Sequence, residues 1–328
     1  MNMVGSVRPS ILVPVTREGS APDVLETEPD TIRQDLIHSL GDGLEGVISL
    51  AVIIFLMFGM IGLTCLLLGL LRRETPRVAL TAPKWGGGEV LLGISAWFLL
   101  QLFFGSLAHI FVPFQPDIAG TAFNVGLRPR LIFILSIGGG ALSGLIATAA
   151  VLALPRVTQQ PWTVLGLGTG SLARGSWIGF LAWLCFIPGG LALTIGWSSL
   201  LILSGVEPQQ QSLISIFGSS AEGGDWALLG VIAVLAVIVA PIAEEFLFRV
   251  LFFRWVTSRA GLTMGIVVSA LVFGLIHMNA AAFLPITALG ALLAAVYHHT
   301  GNVWTCIALH SIFNGTQLLL LTIVSMSG

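Results

Sequence analysis

The chain has 328 residues, of which 55% are hydrophobic and 9% charged, with a formal net charge of −2. Soluble domains carry about 25% charged residues, so the composition excludes a soluble globular protein and describes a multi-pass membrane protein. No basic patch offers a surface for nucleic acid, and the near-neutral balance is uninformative about partners.

Residues 1–44 hold three Arg against seven acidic residues. They lack the apolar run of roughly 7–15 residues that a cleaved signal needs, since Ile11–Val15 is short and broken by Pro14. The segment reads as a polar, disordered tail. A membrane crossing takes about 20 mostly apolar residues. The candidates in chain order are Val47–Leu71, Val90–Val112, Leu131–Leu154, Trp177–Leu203, Trp226–Trp255, Leu262–His277, Ala280–Tyr297 and Val303–Ile323. Only helices or closed barrels satisfy their backbone in lipid, and uninterrupted apolar runs read as helices. The expected fold is therefore all-α, a polytopic transmembrane bundle of about eight spans.

Four regions follow from this reading: the tail 1–44, a block of about three helices at 45–154, a Gly/Ser-rich connection at 155–176 and a transmembrane domain at 177–325. Gly140-x-x-x-Gly144 in the first block predicts close helix packing. Arg72, Arg73, Arg77 and Lys84, then Arg156 and Arg174, then Arg254 and Arg259 fall in alternate loops. By the excess of Lys and Arg on the cytoplasmic side, those loops are cytoplasmic and both termini are non-cytoplasmic. Cys65, Cys185 and Cys306 lie far apart in apolar runs and read as small core residues. Gly86-Gly87-Gly88 lacks the lysine of a phosphate loop. His109 reads as interfacial, and His298 and His299 as solvated ends of a span.

The chemistry gathers after residue 177. Glu244 and Glu245 are adjacent carboxylates inside Val231–Val256, where an acidic side chain costs roughly 2.5–3.5 kcal/mol and marks a functional site by default. Arg249 lies four residues beyond Glu245, on the same helical face, and can pair with it. Glu244 is then left without a local cation, suited to taking and returning a proton. Pro241 can kink the helix and free a carbonyl beside the site. Phe273 and His277 are four apart on the next span, as are His310 and Asn314 on the last. At 1.5 Å per residue, Glu244 lies about 15–20 Å from the cytoplasmic loops, His277 about 24 Å and His310 about 12 Å, close enough in depth to converge. Two chemistries fit that set. Glu244 with His277 could activate water while His310 and Asn314 hold an oxyanion, or Glu244, His277 and His310 could bind a catalytic zinc with one open position.

Ala240-Pro241-Ile242-Ala243-Glu244-Glu245-Phe246-Leu247-Phe248-Arg249 resembles the first motif, EExxxR, of the CPBP family of intramembrane proteases. That family covers type II CAAX prenyl endopeptidases and bacteriocin-processing relatives. Phe273-Gly274-Leu275-Ile276-His277 resembles its second motif, FxxxH, and His310-Ser311-Ile312-Phe313-Asn314 its third, HxxxN/D. The resemblance extends over about Trp177–Ile323. It implies an endopeptidase in which Glu244 and His277 activate water, His310 and Asn314 stabilise the oxyanion, and Glu245, Arg249 and Phe273 give structural support. Its implied partners are membrane lipid and a membrane-anchored or lipidated polypeptide substrate. A glutamate mechanism without a cofactor is favoured over zinc, because asparagine suits an oxyanion donor better than a metal ligand. One position departs from the family, with Val250 after the motif arginine where Gly is frequent. The rival readings are a non-proteolytic scaffold or bacteriocin-immunity factor on the same fold, and a proton-coupled transporter. The latter is disfavoured because the first spans show no counterpart of the polar set.

Overall fold

The computed structural model describes residues 51–52, 54–62, 81–111, 127–167, 171–208, 224 and 226–327, with the side chains of 108–111, 127–134 and 326–327 left aside. The tail at 1–44, most of the first expected span, Arg72, Arg73, Arg77 and the side chain of His109 lie outside these residues. The chain divides into Met1–Val52, almost wholly outside them, and Ile53–Gly328, which forms a helical bundle.

Residues 54–62 are helical (α1). α2 runs Gly87–Phe111, α3 Leu127–Val157 and α4 Leu172–Leu203. The stretch Trp226–Leu275 is one helical run of 50 residues, broken at Gly261, whose φ of 83° and ψ of 170° are not helical. We label its two arms α5 (226–260) and α6 (262–275). α7 runs Ala280–Thr300 and α8 Val303–Ser327. Six helices among the described residues are long and apolar enough to cross a membrane, against about eight expected. Two places account for the difference. The first expected span lies largely outside the described residues, and the fifth and sixth are counted together because they are joined at Gly261.

Local signals set the helix ends. The Ser171 side chain accepts from Arg174 N–H at the start of α4, and Asn279 accepts from Ala282 N–H at the start of α7. Asn302 accepts from Trp304 N–H where α8 begins. Each is a short polar side chain satisfying an orphan backbone donor. Gly301, with φ of 60°, closes α7. The expected connection at 155–176 is shorter than the composition suggested, because α3 continues through Pro155 to Val157 and α4 already begins at Leu172.

α5 lies between two groups of helices. α2 and α3 pair with each other and pack on its middle, while α8 and α7 pack on its other side. α7 is the most enclosed helix, buried from Leu292 through Tyr297 without interruption. Large apolar side chains such as Leu99, Phe103, Leu271, Leu319 and Val324 face outward. In water so much exposed apolar area would mark an interface; around a bundle of apolar spans it is the surface that lipid covers. Lipid tails are as apolar as leucine, so burial gives little drive to bring helices together here, and close contacts and polar links must do so. Gly144 is one such contact, since a Cβ there would lie 2.9 Å from Ala243 Cβ on α5. The Gly140-x-x-x-Gly144 reading holds, and it sets α3 beside the two glutamates.

Candidate active site

α5 is not a regular α-helix. Leu235–Val239 and Phe246–Phe253 are π-helical, and the short α-helical stretch Ala240–Glu245 between them carries both glutamates. Such bulges mark strain or function. The first has an evident cause in the sequence. In its register Ala240 N–H bonds Leu235 O, so the next carbonyl, Ala236 O, would be served by residue 241. That residue is Pro241, which has no N–H to give. Asn314 on α8 fills the gap, its Nδ2 donating to Ala236 O at 2.8 Å. The carbonyl that Pro241 was expected to free is therefore real, and it is claimed by a candidate site residue.

Glu245 is fully buried and held on two sides. Arg249 Nε stands 3.0 Å from its Oε2, and His310 Nδ1 stands 2.9 Å from its Oε1. Arg249 is itself without solvent contact, and its guanidinium lies 4.6 Å over the Phe273 ring. A cation against an aromatic face in a dry site gains on the order of 2 kcal/mol, which offsets part of the desolvation. Glu244 has no such cation beside it. Its Oε2 lies 3.9 Å from His310 Nε2, and its side chain keeps 16% exposure. Two carboxylates adjacent in sequence thus have different surroundings: Glu245 is spent on structure, and Glu244 opens on space.

That space is a cavity of about 170 Å³ between α2, α3 and α5, where Glu244 is joined by Trp97, Gln101, Ile137, Gly140 and Ala243 among others. His310 bridges the glutamates, one ring nitrogen toward each. A carboxylate accepts only, so the close Nδ1 contact is an N–H donated to Glu245. His277 Nδ1 stands 2.7 Å from Phe273 O. By the same logic that nitrogen carries the hydrogen, leaving Nε2 as the basic atom. Phe273 joins the imidazoles, its ring centroid 5.1 Å from that of His277 and 5.7 Å from that of His310, each edge to face. Phe248 packs edge to face on the same ring at 5.3 Å.

Residues 226–316 match the protein-family model described as Rce1-like, type II CAAX prenyl endopeptidase. The segment from Trp226 to Thr316 is similar to that family. Over 81 residues the chain is 30% identical to "Putative membrane peptidase YdiL" of Bacillus subtilis (strain 168). That alignment spans 25% of this chain and 33% of the relative, so the chain covers about a third of the relative's length. No solved structure matches the chain.

The matched segment holds all three motifs, and the structure brings Glu244, Glu245, Arg249, Phe273 and His310 into one cluster. His277 joins it through Phe273, and Asn314 through the α5 backbone rather than through Glu244. Among the described residues no three His, Cys, Asp or Glu side chains form a metal-holding group; His277 Nδ1 and His310 Nδ1 each face an acceptor, which leaves Nε2 as the open ring nitrogen of both. His298 and His299 meet edge to face at the end of α7, ring centroids 5.4 Å apart, and His299 is buried there rather than solvated. Sequence reasoning missed Gln101, which lies outside the matched segment yet shares the Glu244 cavity. The missed signal is a lone amide within an apolar span, a placement that the bilayer makes costly. The search of the first spans for acids and bases passes over it.

Proposed function

We propose that the chain is an intramembrane endopeptidase of the glutamate type, cleaving a peptide bond in a membrane-anchored or lipidated, CAAX-like polypeptide. The observation that carries this reading is the asymmetry of the two glutamates. Arg249 and His310 occupy Glu245, whereas Glu244 lies at a cavity with no cation of its own. Glu244 takes a proton from water, and His277, whose Nε2 is free of the Phe273 carbonyl, assists. The hydroxide adds to the substrate carbonyl, the C–N bond then breaks, and the amine leaves with the proton that Glu244 returns. His310, oriented by Glu245 through Nδ1, is the group we assign with Asn314 to the developing oxyanion. Asn314 gives one amide hydrogen to Ala236 O and has a second for the oxyanion.

The substrate reaches the site from the membrane. Lys84, Arg156, Arg174, Arg254 and Arg259 lie at one end of the bundle, where segment 81–86 meets the end of α5 through Trp85 Nε1 donating to Leu251 O. This distribution supports placing that end at the cytoplasm, with both termini opposite.

The test is cleavage of a quenched fluorescent, prenylated C-terminal peptide by protein purified in detergent, comparing wild type with Glu244→Gln, each with and without a strong chelator. We expect Glu244→Gln to lose about 10²–10⁴-fold in rate and chelator to change nothing. A Glu244→Gln variant as fast as wild type would sink the reading, and loss of wild-type activity in chelator would replace the glutamate mechanism with a metal one.

A further inference from the structure

We infer that the cavity between α2, α3 and α5 is the subsite for the substrate residue beside the scissile bond, and that Gln101 binds that residue's main chain. The inference rests on the endopeptidase reading for the identity of the bond. It also gives the N-terminal helices, which lie outside the matched segment, a role in substrate selection.

Size is the first argument. A dry cavity of about 150 Å³ holds a benzene ring, so about 170 Å³ suits one leucine- or phenylalanine-sized side chain and is too small for a long lipid chain. The walls are correspondingly apolar, from Trp97, Ile137, Ile232 and Ala240, and among the described residues the carboxamide of Gln101 and the carboxyl of Glu244 are the strongly polar groups on them. Trp97 is fixed in place, packed edge to face on Phe248 at 6.1 Å.

The second argument is the state of Gln101. It is half-buried and hydrogen-bonds to no other described residue, although an amide in an apolar setting is costly unless partnered. Its Oε1 lies over bare backbone, 2.9 Å from where a Gly140 Cβ would be. Gly140 therefore provides the room in which this amide lies against α3. A carboxamide offers both an acceptor and donors, the complement of a peptide group's N–H and C=O. With Glu244 on the same cavity, a main chain held by Gln101 is delivered to the reacting carboxylate.

The experiment measures binding and cleavage separately. Equilibrium binding of the same prenylated, fluorescent peptide is measured in the Glu244→Gln background, alone and combined with Gln101→Leu, Gly140→Ala or both; cleavage is measured with Glu244 intact. Gln101→Leu removes the amide but keeps its bulk, and Gly140→Ala displaces the amide without removing it. We expect each to raise Kd about tenfold, one hydrogen bond's worth, and to raise KM alike with kcat within about twofold. The pair should be no worse than either single change, because both act through one contact. Kd unchanged by Gln101→Leu overturns the inference while leaving the endopeptidase reading intact if cleavage persists, and so does an additive loss in the pair. The expected Kd pattern without any wild-type cleavage keeps the subsite and removes the endopeptidase reading. No binding and no cleavage removes both. If Gln101→Leu does not fold, Gly140→Ala decides alone.

Discussion

Arg249 and Glu245 sit one turn apart on α5, and neither side chain touches solvent. Removing one partner of such a pair leaves an uncompensated charge in a dry interior, at about 3–5 kcal/mol. Arg249→Met should therefore lower the unfolding temperature in detergent sharply or abolish folded protein. Arg249→Lys should recover only part of the loss, since an ammonium lacks the planar face that lies over Phe273. Glu244→Gln should leave the unfolding temperature within a degree or two of wild type while removing activity, because Glu244 has no close cation and keeps some exposure. Equal stability losses in Arg249→Met and Glu244→Gln would show that the two carboxylates do not divide structure from chemistry. Val250, the departure from the family pattern, is fully buried beside the pair. It fills its place in the core and touches none of the proposed reacting groups by any contact given above.

At the scale of the element, α5 is shaped by one missing hydrogen. Pro241 cannot serve Ala236 O, and Asn314 does. Asn314→Leu should leave that carbonyl unsatisfied and cost about 1–3 kcal/mol, measured as a fall in unfolding midpoint. Pro241→Ala restores an N–H to α5, so in its presence Asn314→Leu should cost much less. Independent, additive effects of the two changes would refute the link. Activity should fall in both variants, because the bulge at Leu235–Val239 sets where Glu244 stands along the helix. The contact of α3 with α5 makes a second prediction. A side chain at Gly144 meets Ala243 Cβ at 2.9 Å, and both atoms are held by helical backbone, so neither can yield cheaply. Gly144→Leu should cost about 1–3 kcal/mol by overpacking and spoil the wall of the Glu244 cavity, seen as lost thermal stability together with raised KM.

For the whole molecule, the described basic side chains outside the α5 core collect at one end of the bundle. A single cysteine introduced at Ser325, in a background with Cys65, Cys185 and Cys306 replaced, should react with a membrane-impermeant thiol reagent added outside intact cells. One introduced at Ser258, at the opposite end, should react only after permeabilisation. The reverse pattern would invert the topology. The bundle also explains why a site with two carboxylates and a guanidinium is tolerated. α5 is surrounded by α2 and α3 on one side and α7 and α8 on the other, so lipid never meets Glu245 or Arg249, and the energetic cost of their charges is set by protein packing rather than by hydrocarbon.

Much of this protein was determined locally and is legible in the chain. Apolar runs of sufficient length form helices because lipid leaves the backbone no other partner, which is why the helices from residue 87 onward agree with the expected spans to within a few residues. The pairing of Glu245 with Arg249 follows from helical periodicity alone, and the carbonyl freed near Pro241 follows from the missing N–H. Tertiary structure decided the rest, because it depends on which helix faces lie together across long sequence separations. His310 could have faced either glutamate; packing of α8 on α5 placed its nearer nitrogen on Glu245 and left Glu244 to the cavity. Asn314 was read beside His310 as an oxyanion donor, yet it also serves a carbonyl 78 residues away. Gln101 carries no motif, and only the approach of α2 and α3 to α5 brings its amide to the same cavity as the glutamate. Periodicity fixes what shares a face of one helix, whereas a cavity is made by the faces of three, and its shape is set by side-chain packing that no single stretch of sequence contains.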